Sequence, residues 1–328
     1  RIFSCGFEDG SIGGLTGFAI SSVTARTGTY SIKQSRAGGN VTTVIPIASA
    51  VDELFLRLGF YPTSDSGDAY GTFLTLRDSS GNTLLSVSYD RSLSKVALFL
   101  GSTEVSSVTG VPLNTWSVLE VHAKVADSGG VAQIRANGVS GSKFTGDTQV
   151  GAATIAGVGL YIPALSPNRY FDDIAINDTT GAVNNSWIGQ GGVYLCPISG
   201  AGTVTGMTPS AGSNYACVDE VPASDTDYVS SADVADIDLY TIDTSALPTP
   251  IRVNAVKLGY RAKVDAGGAK LVPVLRSEST TEEQTDDALA MSTSYTVQCV
   301  NYDVDPIDDA AWDATKLAAL EVGQRKGL

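Results

Sequence analysis

The chain has 328 residues, 43% of them hydrophobic and 17% charged, with a formal net charge of −14. That length suits two domains, each with enough apolar material for a core. So acidic a chain repels phosphate backbones, which argues against nucleic-acid binding, and no run approaches the ~18 apolar residues needed for membrane insertion.

A glycine count of 35 against 2 methionines fits a turn-rich β protein better than a helical one. The four cysteines (Cys5, Cys196, Cys217, Cys299) are too few and scattered for a disulfide scaffold, and none forms a C-x-x-C pair for structural zinc. Cys5 reads as an unpaired thiol, and Cys196 could pair with Cys217 if their strands are neighbours. The opening Arg1-Ile2-Phe3-Ser4-Cys5 lacks the apolar stretch of a secretory leader.

In chain order, the first half alternates short β-like runs with turns. Glu53–Tyr61 places Leu54, Leu56, Leu58 and Phe60 on one face and Phe55, Arg57, Gly59 and Tyr61 on the other, before Pro62 ends it. Phe73–Leu76 and Thr83–Tyr89 flank a turn at 77–82, and Lys95–Leu100 follows. Trp116–Val125 alternates most clearly, with Leu119, Val121, Ala123 and Val125 opposite Glu120, His122 and Lys124. Val131–Ala136 ends on the tight-turn pair Asn137-Gly138, and Gly157–Ile162 and Tyr170–Asn177 close the half.

Four pieces of this half, Leu56–Tyr61, Asp78–Asn82, Leu113–Trp116 and Phe171–Ile174, resemble the concanavalin A-like lectin/glucanase jelly roll. The resemblance implies an all-β jelly-roll sandwich over residues 1–180. It implies no single activity, because the same sandwich serves lectins, glycosidases and inert spacers.

Residues 181–186 read as a linker within a polar, glycine-containing stretch. The second domain, residues 187–328, is expected to be a smaller β-sandwich with strands in Arg252–Lys263, Lys270–Ser277 and Ser294–Asn301. Pro273 argues that its strand lies at an edge or carries a bulge. Asp313 caps a short C-terminal helix over Ala314–Val322, with Leu317 and Leu320 on one stripe, Gly323 as its stop, and Trp312 packing back.

Trp187-Ile188-Gly189, Asn214-Tyr215-Ala216, Val218–Pro222, Tyr228–Ser231, Asp238-Leu239-Tyr240 and the closing Trp312, Leu317, Leu320, Gly323 and Arg325 resemble a module of tailed-bacteriophage virion proteins. The resemblance implies a non-catalytic head-decoration or tail-fibre part at the virion surface. Its partners would be other capsid or tail proteins and further copies of itself, a homo-oligomer. The alternative is a host-glycan-binding attachment protein that uses the jelly roll.

The residues themselves point away from an enzyme. The only histidine, His122, reads as a solvated strand position, without the companions of a nucleophilic triad. The paired-carboxylate spacing Glu-x-Asp-x-x-Glu of jelly-roll glycosidases is absent, and the adjacent acids Asp52-Glu53 and Asp172-Asp173 point to opposite faces of any regular strand. Asp172, Asp173 and Asp178, with Asn177, are the candidate Ca²⁺ ligands, and no other cofactor is expected. Asp303, Asp305, Asp308 and Asp309 read as a turn with local hydrogen bonds, and the aromatic residues read as core.

Overall fold

In the computed structural model, alternation with a period of two builds nearly every element. The structure describes all residues except 13–14, 35–40, 64–69, 163–168, 250–251, 266–267 and 328. They form two compact units, Arg1–Val193 and Tyr194–Leu328.

The first unit runs β1 (Phe3–Cys5), β2 (Phe18–Ser21), β3 (Ser31–Gln34), β4 (Val41–Val51), β5 (Glu53–Pro62), β6 (Tyr70–Arg77), β7 (Thr83–Asp90) and β8 (Lys95–Leu100). It continues with β9 (Thr103–Thr109), β10 (Ser117–Lys124), β11 (Gly130–Ala136), β12 (Val139–Ser140), β13 (Phe144–Gly146), β14 (Ile155–Ile162) and β15 (Arg169–Asn177). One sheet has the order β12-β11-β10-β5-β15-β3-β2, with β1 also on β15 and β13 on β11; the other has the order β4-β14-β6-β7-β8-β9. Together they make a jelly-roll sandwich.

Leu54, Leu56, Leu58 and Phe60 of β5 meet Leu74, Leu76, Val87, Val96 and Leu98 of the facing sheet in one core. At its centre the ring of Phe60 stacks on Phe73 at 4.2 Å, with Phe171 at 5.8 Å. Cys5 packs against this core.

A β-bulge in β6 between Thr72 and Leu74 buries Phe73 and Leu74 in succession and shifts the outward phase from Thr72 to Thr75 and Arg77. A second irregularity, between Asp172 and Ala175 of β15, coincides with a left-handed φ of 50° at Asp173. Its effect is to turn both carboxylates toward Arg26 and Thr27 rather than to opposite faces.

The second unit holds β16 (Ile198–Thr205), β17 (Thr208–Pro209), β18 (Val229–Ser230), β19 (Ile237–Ile242), β20 (Val256–Ala262) and β21 (Lys270–Ser277). After these come β22 (Thr280–Glu283), β23 (Leu289–Ala290), β24 (Thr296–Tyr302), helix α1 (Ala314–Ala319) and β25 (Glu321–Gly327). The main sheet has the order β16-β19-β25-β21-β22, with β23 also on β21; β17-β18 and β20-β24 form two ribbons. Leu258, Leu275, Tyr302, Trp312, Leu317, Leu320 and Val322 form its core.

Three expectations for this unit are corrected. The helix stops at Ala319 and the chain enters β25, an inner strand of the sheet, so the helix is not the C-terminal element. Gly323 is therefore not a helix stop: a Cβ there would lie 1.8 Å from the Asp238 carbonyl oxygen, so only glycine lets the two backbones approach. Pro273 sits in a central strand, opposite Gln324. It is tolerated because β22 pairs only from Val274 onward and β23 only through Leu271. The other side of Pro273 is interrupted there, and its carbonyl takes the Gln284 N–H at 2.8 Å.

The expected cap is present. Asp313 accepts the Lys316 N–H at 2.8 Å, and the indole of Trp312 donates to the Tyr302 carbonyl at 2.9 Å. The acidic turn at 303–309 also encloses a cation. The buried Lys316 ammonium lies 3.1 Å from Asp305 and 2.5 Å from Asp308. Burial pulls its pKa down, but these two carboxylates outweigh it and the net shift is upward.

Candidate functional site

The sandwich has two outer faces, and the chain treats them differently. On the nine-stranded sheet Glu120 and His122 are covered by residues 186–193, whereas Lys124 beside them stays partly exposed. Glu120 Oε1 accepts the N–H groups of Ile188 and Gly189 at 3.0 and 2.8 Å. The Arg135 guanidinium sits 3.6 Å above the Trp187 ring, which also meets Phe55 edge-on at 5.5 Å. Trp187-Ile188-Gly189 thus packs with the first unit, and the division of the chain falls after Val193 rather than at residues 181–186.

His122 is consequently not solvated. It is 9% exposed, stacks on Phe55 at 4.1 Å, and places Nε2 2.7 Å from Glu53 Oε1. Burial, opposed by Glu53, holds its pKa below the ordinary value. The unfolded chain then takes up a proton before the folded one does, so the contribution of neutral His122 is complete above a pH of about 6.5 and is lost as pH falls through the lower folded pKa. Unfolding of wild type and His122→Gln between about pH 5 and 8 should show the acid slope reduced in the variant. Identical slopes would refute this assignment.

The Ca²⁺ candidates lie near the same face. Asp172 and Asp173 are fully buried. Asp172 Oδ1 accepts the Asp173 N–H, and Oδ2 accepts those of Arg26 and Thr27. Asp173 Oδ1 accepts from Thr27 Oγ1 and the Val193 N–H, and Oδ2 from the Arg26 guanidinium. Every carboxylate oxygen of the pair thus faces a protein donor. Burial, then the neighbouring Asp173 charge, raise the Asp172 carboxyl well above the usual range.

Asp178 accepts from Thr180 N and Oγ1 in a local turn, while Asn177 bridges Arg1 and the Ser186 carbonyl. Among the described residues no group of three or more His, Cys, Asp or Glu is arranged to hold a metal ion. Cys196 and Cys217 are not joined to each other, and both are thiols.

Among the described residues of the first unit, nothing roofs the outer face of the six-stranded sheet at β6, β7 and β14. A shallow recess of about 300 Å³ is lined by Thr72, Thr75 and Arg77 of β6, Thr83 and Ser86 of β7, and Tyr161 of β14. Register brings them together: Thr75 lies opposite Ser86 on one side and Gly159 on the other, and Arg77 opposite Thr83. The floor exists because β14 carries glycine beside Thr75. A Cβ on Gly159 would lie 2.4 Å from Thr75 Oγ1 and 2.9 Å from Arg77 Nε.

The Arg77 side chain lies across that floor, donating from Nε to Thr75 Oγ1 at 3.0 Å and from Nη1 to the Gly81 carbonyl at 3.4 Å. Thr72 and Ser88 hydroxyls join at 2.9 Å beside it. The residue reading missed this group by assigning its aromatic residues to the core; Tyr161 is half-buried on the outer face. The legible signal was the alternation Gly157-Val158-Gly159-Leu160-Tyr161, in which every outward position before the tyrosine is a glycine.

The class these sheets define is the jelly-roll β-sandwich. No family model matches the chain, and no curated protein matches it. Solved structures similar to it include a sialidase, at 13% identity and a TM-score of 0.41 over 54% of this chain and 18% of the sialidase. Another is the alginate lyase Aly36B, at 12% identity and a TM-score of 0.36 over 46% of this chain and 82% of that one. The carbohydrate-binding module CBM66 from Bacillus subtilis matches at 13% identity and a TM-score of 0.36, over 50% of this chain and 98% of the module. The expectation that the protein is not an enzyme is corrected here: two of these three are enzymes by name, and the exclusion of catalysis is withdrawn.

Proposed function

We propose that the first unit binds glycans through the outer face of its six-stranded sheet. The recess carries this reading: four hydroxyl side chains, one guanidinium and one tyrosine ring converge on rigid strands, while the opposite outer face is roofed by its own chain. A sugar offers hydroxyls that both donate and accept, which threonine and serine match, and an apolar C–H face that packs on an aromatic ring. The shallow, open shape suits a polymer lying across the sheet.

The test is retention of the full chain on a panel of immobilised polysaccharides. Tyr161→Ala should weaken retention about tenfold, roughly 1.4 kcal/mol, with an unchanged unfolding midpoint. Failure of the wild type to bind any member would sink the proposal. Release of new chain ends in the same incubations reads whether the bound polymer is also cleaved.

The virion reading, with capsid or tail partners, self-assembly and a virion-surface location, rests on the motif resemblance alone. Several residues that carry the resemblance serve the fold: Trp187 lies over the first unit's sheet, and Asn214, Asp238 and Tyr240 form a buried network in the second.

A further inference from the structure

We infer that the recess selects acidic glycans, whose sugars carry a carboxylate or sulfate, and that Arg77 is the residue that reads the charge. The inference rests on the glycan reading above and adds the ligand class. Arg77 is the only charged residue among the six that line the recess. Its hydrogen bonds go to neutral oxygens, Thr75 Oγ1 and the Gly81 carbonyl, and among the described residues it enters no ion pair.

The neighbouring Asp78 does not neutralise it. Its carboxylate accepts from the N–H groups of Ser80 and Asn82 and from Asn82 Nδ2, at 2.9, 2.8 and 2.9 Å, within its own turn. Four other arginines are matched to acids: Arg26 to Asp173, Arg261 to Asp225, Arg276 to Glu321 and Arg325 to Glu283; Arg57 and Arg135 are instead taken up by a backbone carbonyl and the Trp187 ring.

In a chain of net charge −14, an unmatched guanidinium over a hydroxyl floor is a local exception to the surrounding field. Two hydrogen bonds already hold it in place, so less side-chain freedom remains to be lost when a ligand binds. Its planar fork suits the paired oxygens of a carboxylate or sulfate, and such charge-assisted bonds are about twice as strong as neutral ones. The acidic surface works against non-specific capture of polyanions, so an anion retained here is retained by the recess.

Calorimetry on the full chain with three hexasaccharides tests this: a hexauronate, its carboxyl-reduced neutral counterpart, and a sulfated form of that neutral hexamer. At least one anionic hexamer should bind about tenfold more tightly than the neutral one, and whichever does so identifies the charged group. Arg77→Gln should erase that difference, with the ratio of anionic to neutral affinity as the readout. Arg77→Lys, which keeps the charge and loses the fork, should retain part of it. Unfolding midpoints establish that both variants are folded.

Equal binding of all three hexamers overturns the inference and leaves the glycan reading standing, as does a preference that survives Arg77→Gln. Binding of none of them overturns the inference, while the polysaccharide panel decides the glycan reading separately.

Discussion

Asp238→Ala is expected to cost the second unit about 3–5 kcal/mol, the range for removing one partner from a buried charged network. Asp238 is fully buried, and both of its oxygens are used. Oδ1 takes the N–H groups of Gly206 and Met207 at 2.7 and 2.9 Å, while Oδ2 takes Asn214 Nδ2 at 2.6 Å and the Tyr240 hydroxyl at 2.8 Å. Alanine strands the Met207 N–H, Asn214 Nδ2 and the Tyr240 hydroxyl, each at about 1–3 kcal/mol, with partial relief from water entry and relaxation, while the Gly206 N–H keeps the Ile237 carbonyl.

Asp238→Asn should cost less, because its carbonyl oxygen still accepts two N–H groups while its amide opposes Asn214. Burial raises the Tyr240 pKa and keeps its hydroxyl a donor, so ionisation of the tyrosine does not relieve the network. Urea unfolding, with hydrogen exchange read over residues 194–328, measures the loss. An alanine variant as stable as wild type would show that the network is not what holds β16, β19 and the turn at 206–217 together.

In the first unit the counterpart is Asp173→Ala, also expected to cost about 3–5 kcal/mol. Asp173 joins three segments distant in sequence. It receives the Arg26 guanidinium at 2.5 Å, Thr27 Oγ1 at 2.8 Å and the Val193 N–H at 2.6 Å. Arg26 in turn holds the carbonyls of Gln190 and Gly191, at 2.5 and 3.0 Å.

Removing the carboxylate leaves a guanidinium that is 15% exposed without its ion-pair partner, and it loosens the roof over Glu120 and His122. Relief of the repulsion between Asp173 and Asp172 offsets part of the cost. Hydrogen exchange at residues 186–193 should rise sharply in Asp173→Ala. The double variant with Arg26→Ala should cost less than the sum of the two single changes. Strict additivity would refute the clamp.

What could be read from particular residues follows from how local each signal is. The inward rows of β5 and β10 are plain in the sequence because strand period and core burial depend only on neighbours in the chain. The outward rows are not, because their fate depends on what lies over them. Glu120 and His122 alternate like a solvated edge but are covered by residues far along the chain, whereas Thr72, Ser86 and Tyr161, no more conspicuous, remain half-buried at the recess.

Strands of three or four residues such as β1–β3 leave too short a pattern to register. β25 reads as polar because Glu321, Gln324, Arg325 and Lys326 make up most of it, yet β19 and β21 flank it on both sides. Bulges defeat period-based reading outright: one at Asp172–Ala175 turns two adjacent acids the same way.

The sequence by itself determined an all-β chain in two parts, a lectin-like sandwich first, and the Asp313 cap and Trp312 anchor near its end. Only the tertiary structure decided which outer face is sealed, where the first unit ends, and that Arg77 and Tyr161 share a recess with the hydroxyl row. Alternation states that a residue points away from the core. Whether it then meets water, a ligand or another stretch of the same chain depends on long-range register and packing, which a period of two does not encode.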